Sequence, residues 1–319
     1  MAQSGSLRTH LRGLALTIPW VFSLFLADIA LSLLLPLKLV SPRLVYDASS
    51  IIALSIWSWV QAIFARVNGA HIRISGDPLP PGESAIIVAN HVAWSDFYLI
   101  QALAQRSGML GRCRYFAKAQ LRMVPFLGWG LWAMGMPLVS RNWLKDKTEL
   151  DHVFSNIVQR AFPTCEYLEA NSLAELTLRA GLISYSEGTR FTKRKYEESL
   201  DFCKTGGRRQ PMHLLYPRTK GFITTVQHLR KAPHVKAVYD FTIAYQYQGT
   251  FQSAPSIWET LSAPAISAQC GYKFHVRARR FPIESLPTTD EDLATWLEQL
   301  WIEKGEWLEV QRLEWALGG

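Results

Sequence analysis

"VANHVAWSDFYLI", Val88 to Ile100, is the stretch on which the reading of this chain turns. Ala85 to Ala89 is a short apolar run of strand length. Asn90 and His91 follow it, and Ser95 stands where an N-cap would open a helix through "DFYLIQALAQ". A strand passing through a short loop into a helix is the unit of an α/β fold. His91 and Asp96 lie five positions apart. On a continuous helix they would point about 140° apart and could not meet. Across a loop-to-helix junction they can. The carboxylate then fixes the imidazole tautomer and leaves the other ring nitrogen free as a base. The competing reading is a loop histidine beside an acidic residue that favours a helix N-terminus. The pair alone leaves both open.

Further along, the same alternation recurs. "GDPLPPGE", Gly76 to Glu83, is a turn-rich entry to the domain. "CRYFAK" reads as a second strand. "QLRMVPFLGWGLWAMG" reads as a helix broken by Pro125, Gly128 and Gly130. "MPLVS", Met136 to Ser140, reads as a third strand, and Lys145 to Arg160 has helical spacing. "GLISYSEG" is a fourth strand ending in a glycine turn. Lys220 to Lys231 is a helix, "YDFTIAY" and "KFHVRARRF" are strands, and Asp290 to Leu317 is a long helix carrying four tryptophans. The expected class is α/β, a single mixed-sheet domain over residues 71–319.

Residues 1–70 differ in character. Leu14 to Leu35 holds 13 Leu, Ile, Val or Phe residues and one charge, Asp28. On insertion scales each apolar residue contributes roughly 0.3–0.6 kcal/mol and a central Asp costs about 3, so the sum favours the membrane. A second apolar segment lies between Asp47 and Arg66. It either spans or lies in the interface with Trp57 and Trp59 as anchors. In a spanning hairpin Arg8, Arg12, Arg66 and Arg73 would share the cytosolic face, while Lys38 and Arg43 in the connection oppose a full crossing. With 49 % hydrophobic and 19 % charged residues, 12 Trp and a net charge of +8, the chain suits an anionic lipid surface or phosphorylated ligands. No nucleic-acid-binding motif is present. The four cysteines form no CxxC pair, which disfavours zinc and fits a reduced, cytosol-facing domain. No His/Glu cluster accompanies His91, so no metal site is expected.

Two more strand ends carry chemistry-bearing residues. "SEGTR", Ser186 to Arg190, combines a glycine that lets the backbone approach a ligand with an arginine fork suited to phosphate. "GMPLVSR", Gly135 to Arg141, also ends in arginine, where open α/β sheets bind ligands. Each is weak alone, since a solvated surface arginine gives the same pattern.

In order, N-H-x4-D, G-x-x-L-V-x-R, E-G-T-R and the proline of "LLYPRTKGF" resemble the four sequence blocks of the glycerophospholipid (lysophospholipid) acyltransferase superfamily. "AKAQLRMVPFLGWG", "RNWLKDK", "VYDFTIAY" and "RRFPIESLPTTDEDLATWLEQLWIEKGEWLE" resemble its lysocardiolipin and lysophosphatidylinositol acyltransferase subfamily, over roughly residues 12 to 315. The resemblance implies transfer of a fatty acyl group from acyl-CoA to a free glycerol hydroxyl of a lysophospholipid (lysophosphatidylinositol, lysocardiolipin or lysophosphatidate), with no further cofactor. It implies His91 as general base and Asp96 as its orienting acid. Arg141 and Arg190 would hold the acceptor phosphate, and Glu187, Gly188 and Thr189 would shape that pocket. Pro217 would support donor binding, and Lys118 would reach a phosphate of CoA or lipid. It further implies a place at the endoplasmic reticulum membrane with the site facing the cytosol, the Trp-rich C-terminal helix resting either on that surface or in the core. A CoA-independent transacylase and a non-catalytic membrane scaffold with the same fold are the alternatives.

Overall fold

The structure is a computed structural model, and it describes residues 7–124, 127–136, 138–139 and 181–318. Its centre is the buried strand β2 (Ser84–Ala89), all six residues of which are inaccessible. A strand buried on both faces reads as an unbroken apolar run, which is why "SAIIVA" lacks alternation. β2 lies parallel to β6 (Gly181–Tyr185) on one side and to β7 (Val235–Tyr247) on the other. β3 (Cys113–Tyr115) extends the sheet beyond β6 in the parallel sense. On the other flank, β9 (Tyr272–Pro282) runs antiparallel to β7, and β1 (Ile72–Gly76) pairs parallel with β9. With the short β8 (Thr250–Phe251) on β7, this makes a seven-stranded mixed sheet in the order β1-β9-β7-β2-β6-β3. The mixed-sheet α/β class is therefore as expected. Two elements are placed differently from the sequence reading. "CRYFAK" divides, its second part β4 (Ala117–Lys118) pairing with β5 (Leu138–Val139) in a separate small sheet. The "MPLVS" strand accordingly does not join the main sheet.

Side chains alternate between two cores. Ala85, Ile87, Ala89, Ile183, Tyr239 and Phe241 face α3 (Asp96–Arg106). Ile86, Val88, Leu182 and Val238 face α6 (Thr219–Leu229) and the long α8 (Asp290–Ala316). Trp301 and Trp315 of α8 are buried in this second core, and Trp296 and Trp307 pack against it. Core packing, not a membrane surface, accounts for the tryptophans of α8. Gly305 sits where α8 crosses the 212 segment. A Cβ there would lie 2.7 Å from the Met212 nitrogen, so only glycine permits the approach.

The apolar N-terminus forms two helices, α1 (Leu7–Leu33) and α2 (Pro42–Ala62), joined by a 3₁₀ turn. They differ in exposure. The most apolar window of α1 is 11 % buried and that of α2 44 %. α2 is held along its length. Near its start Arg114, itself buried, donates to Ser50 Oγ (2.8 Å), and its guanidinium lies 4.7 Å from the Tyr46 ring. Near its end Val60, and then Ile63 and Phe64 just beyond it, enter the first core. α1 is held at both ends. Arg12 donates to the Ser262 and Val67 carbonyls and to Asn68 Oδ1. Gly13 abuts α7 (Ile257–Ser262), where a Cβ would lie 2.6 Å from that of Ser262. At the far end Lys38 donates to the Trp132 carbonyl (3.0 Å), beside α4 (Leu127–Ala133).

Candidate active site

His91 lies just past the C-terminal end of β2, and Asp96 opens α3. The two side chains meet: His91 Nδ1 is 2.7 Å from Asp96 Oδ2. The loop between them folds back because Asp96, fully buried, also accepts the Val92 N–H (2.7 Å) and the Ala93 N–H (3.1 Å). A fourth donor is the Tyr245 hydroxyl from β7, 2.9 Å from Oδ1. With backbone donors on both oxygens, the carboxylate fixes the loop and aims the ring. A carboxylate oxygen only accepts, so a neutral imidazole in this contact has its proton on Nδ1 and presents the Nε2 lone pair outward. The imidazole stacks on Tyr185, with centroids 4.0 Å apart. Its side chain stays 21 % accessible, so the imidazole is open on one side while Asp96 is sealed.

Ser95 does not cap α3. Its backbone is already helical and its side chain makes no cap bond; Oγ instead donates to the Tyr245 hydroxyl at 3.3 Å. Asp96, one residue later, organises the junction. Asn90 performs a task the sequence reading missed. Its amide donates to the Ile243 carbonyl (3.0 Å) and accepts the Ile243 N–H (2.8 Å), carrying the β2–β7 ladder one step past the strand end. Asn90 and Tyr245 fasten the His91 loop to β7, which is about 150 residues away in sequence.

The "SEGTR" turn follows β6, the neighbour of β2, so it stands beside His91. Glu187 Oε2 accepts the His91 N–H (3.3 Å), and the Phe191 N–H donates to the His91 carbonyl (2.7 Å). Burial pushes the Glu187 carboxyl up to about 8, opposed chiefly by the His91 N–H and the ammonium of Lys304. Gly188 takes φ +68°, open to glycine, and the Arg218 side chain occupies the space a Cβ would need, 3.1 Å away at Cδ. Thr189 Oγ1 and the Arg190 carbonyl both accept from Lys195 Nζ, at 2.5 and 3.3 Å, on α5 (Lys193–Thr205). The Arg190 side chain is exposed. Pro217 is buried next to this turn, since the Arg218 N–H donates to the Ser186 carbonyl (2.7 Å). Thus His91, Asp96, Glu187, Gly188, Thr189, Arg190 and Pro217 come together. Lys118 is exposed on the small sheet and, among the described residues, shares no hydrogen bond with them. Arg141 and the Lys145 to Arg160 segment lie outside the described residues. A separate open cleft of about 610 Å³ is lined by Gln61, Arg73 and Arg106. It opens at the other end of α3, a helix length from His91, and is not where the histidine, acid and arginine turn converge.

A family profile described as Acyltransferase matches residues 71–246, and one described as Acyltransferase C-terminus matches residues 267–310. The chain belongs to the acyltransferase family. Among its relatives, lysocardiolipin acyltransferase 1 of Gallus gallus is 28 % identical over 272 residues, covering 85 % of this chain and 65 % of the relative. The 1-acyl-sn-glycerol-3-phosphate acyltransferase delta of Homo sapiens is 30 % identical over 275 residues, covering 84 % and 62 %. The chain thus spans a little under two thirds of the length of these relatives. A crystal structure of the 1-acyl-sn-glycerophosphate acyltransferase of Thermotoga maritima aligns with 94 % of this chain and 98 % of its own, at 16 % identity and a TM-score of 0.49.

Proposed function

We propose that this protein transfers a fatty acyl group from acyl-CoA to a free glycerol hydroxyl of a lysophospholipid. The observation that carries the reading is the sealed Asp96 beneath a half-open His91, beside the arginine-bearing turn. A hydroxyl is a poor nucleophile at neutral pH. His91 Nε2 takes its proton as the oxygen attacks the thioester carbonyl, and Asp96 stabilises the imidazolium that results. The C–O bond forms, the C–S bond breaks, and the proton passes from His91 to the departing CoA sulfur. No covalent enzyme intermediate is required, because proximity of two bound substrates supplies much of the rate. Arg190 and Arg141 bind the acceptor phosphate, Glu187, Gly188 and Thr189 shape that pocket, and Pro217 supports donor binding beside it. Lys118 serves as an outlying cation for CoA or lipid phosphate.

The same reading places the chain at the cytosolic face of the endoplasmic reticulum membrane. The exposed apolar surface of α1, with Phe22, Phe25, Leu26 and Leu33, meets the lipid together with Trp129 and Trp132 of α4. Held against the domain at both ends, α1 and α2 lie within one leaflet instead of crossing it.

The test is a panel of lysophospholipid acceptors crossed with labelled acyl-CoA chain lengths, on the full-length protein in membranes. His91→Ala, with unchanged circular dichroism, is expected to lose roughly 10²- to 10⁴-fold in transfer rate. Wild-type turnover in a folded His91→Ala protein would remove His91 as the base. Transfer that persists from a phospholipid donor without acyl-CoA would turn the reading to a transacylase.

A further inference from the structure

Tyr185 is the last residue of β6, and the reaction as described gives it nothing to do. It stands in register with Ala89 of β2, two residues before His91. Its carbonyl accepts the Gly188 N–H (2.9 Å), which closes the arginine-bearing turn, and its side chain packs against the first core. The phenol ring therefore belongs to the sheet, whereas His91 belongs to a loop. The two rings lie face to face, with centroids 4.0 Å apart and planes 18° from parallel.

The other contacts of His91 leave room for this one to matter. Glu187 and Phe191 hold only its backbone, through the N–H (3.3 Å) and the carbonyl (2.7 Å). Asp96 holds the ring at a single atom, Nδ1, at 2.7 Å. A hydrogen bond tolerates a bend of about 30° at little cost, so that contact alone lets the ring tilt and Nε2 swing. A flat face 4.0 Å away removes the tilt. It also acts on charge. An aromatic face attracts a cation lying over it within about 6 Å of the centroid. A neutral imidazole gains little from that field, and an imidazolium gains all of it. The attraction therefore grows as His91 takes up a proton, and it stabilises the transition state more than the resting state.

We propose that Tyr185 is a positioning residue for the reaction: its ring face fixes the tilt of the His91 imidazole and stabilises the imidazolium that forms as the acceptor hydroxyl loses its proton. One strand end thus carries both the arginine-bearing turn and the support of the base. This inference rests on the reading of His91 as the base.

The test uses the full-length protein in membranes. Tyr185→Phe keeps the face and removes the hydroxyl, and it is expected to retain most of kcat. Tyr185→Leu keeps apolar bulk and removes the face. Its kcat is expected to fall roughly tenfold to a hundredfold, as slight misplacement of a reacting group does, with little change in KM for either substrate. Phenylalanine rings carrying increasing numbers of fluorines, introduced in place of Tyr185, keep the shape and drain the face of electron density step by step. Along that series kcat is expected to fall by about 2- to 30-fold in total. These rings are nearly the size of the natural one, so they carry the test where Tyr185→Leu does not fold. A series with constant kcat overturns the proposal, since a merely structural role predicts it. Tyr185→Phe as slow as Tyr185→Leu overturns it too, because the hydroxyl and not the face would then be at work. A rise in KM with kcat unchanged does the same. If the wild type transfers no acyl group, the functional reading fails separately. The rate at which diethyl pyrocarbonate modifies His91, read by peptide mass mapping, then decides. A change in Tyr185→Leu that Tyr185→Phe does not show supports the proposal, and equal rates in all three proteins overturn it.

Discussion

Asp96 accepts from four groups, and their removal separates two effects. Asp96→Asn puts an amide among four donors, so at least one N–H must face another. The loop then shifts and the ring loses its acceptor, and transfer is expected to fall about 10³- to 10⁴-fold. Tyr245→Phe removes one neutral donor and leaves the His91 bond intact. A loss of about 1 kcal/mol in stability and a severalfold loss in rate are expected from denaturant titration and initial rates. Equal rate losses for the two would mean that the carboxylate only holds the loop. Glu187 carries a pH signature of its own. Its folded value, near 8, lies above the ordinary 4.5, so the folded state favours the neutral acid. That contribution to stability is complete below about 4.5 and is lost as pH rises through 8. Glu187→Gln has no such loss. The wild type is expected to fall relative to the variant by on the order of 2–4 kcal/mol between pH 5 and 8.5 in thermal melts. A constant difference across that range would put the carboxyl in an environment like water.

At the scale of elements, much of the fold was legible because strands buried on both faces and helices with helical spacing announce themselves locally. β2, α3, β6, β7, β9 and α8 all fall where the pattern puts them. The His91–Asp96 contact was legible as a possibility, and the ordered blocks made it an expectation. The roles of Asn90 and Tyr245 were not, because each depends on a strand pairing that brings distant segments together. Ser95 misled for a related reason. It is a good cap by type, yet Asp96 with four donors outcompetes a serine for control of the junction. Gly305 marks an element contact that can be tested. Gly305→Ala places a methyl 2.7 Å from the Met212 nitrogen, so helix propensity gains less than the clash costs. A net loss of about 1–3 kcal/mol is expected by chemical denaturation, with kcat per folded molecule little changed. Stabilisation would mean that the 212 segment yields freely.

For the whole molecule, the arrangement of α1 and α2 bears on how the proposed site would meet a lipid acceptor. Both helices are long and apolar enough to cross a bilayer. A crossing hairpin would carry the connector at Pro36–Leu39 to the far side, about 30 Å from the α/β domain. Instead Lys38 bonds the Trp132 carbonyl, and Arg114 pins the start of α2 by Ser50, so the connector stays with the domain. The most exposed apolar side chains there are Leu39 at 91 % and Val40 at 82 %, which fits insertion into the near leaflet. Under the proposed function, an amphiphilic acceptor then slides from that leaflet to His91 without leaving lipid, and acyl-CoA arrives from the aqueous side. A glycosylation acceptor sequence placed between Leu39 and Ser41 is expected to remain unmodified in microsomes, and carbonate extraction is expected to leave the chain in the membrane. Glycosylation at that site would put the connector in the lumen. The contacts of Lys38 and Arg114 would then have to break on insertion, and α1 and α2 would be a spanning hairpin after all.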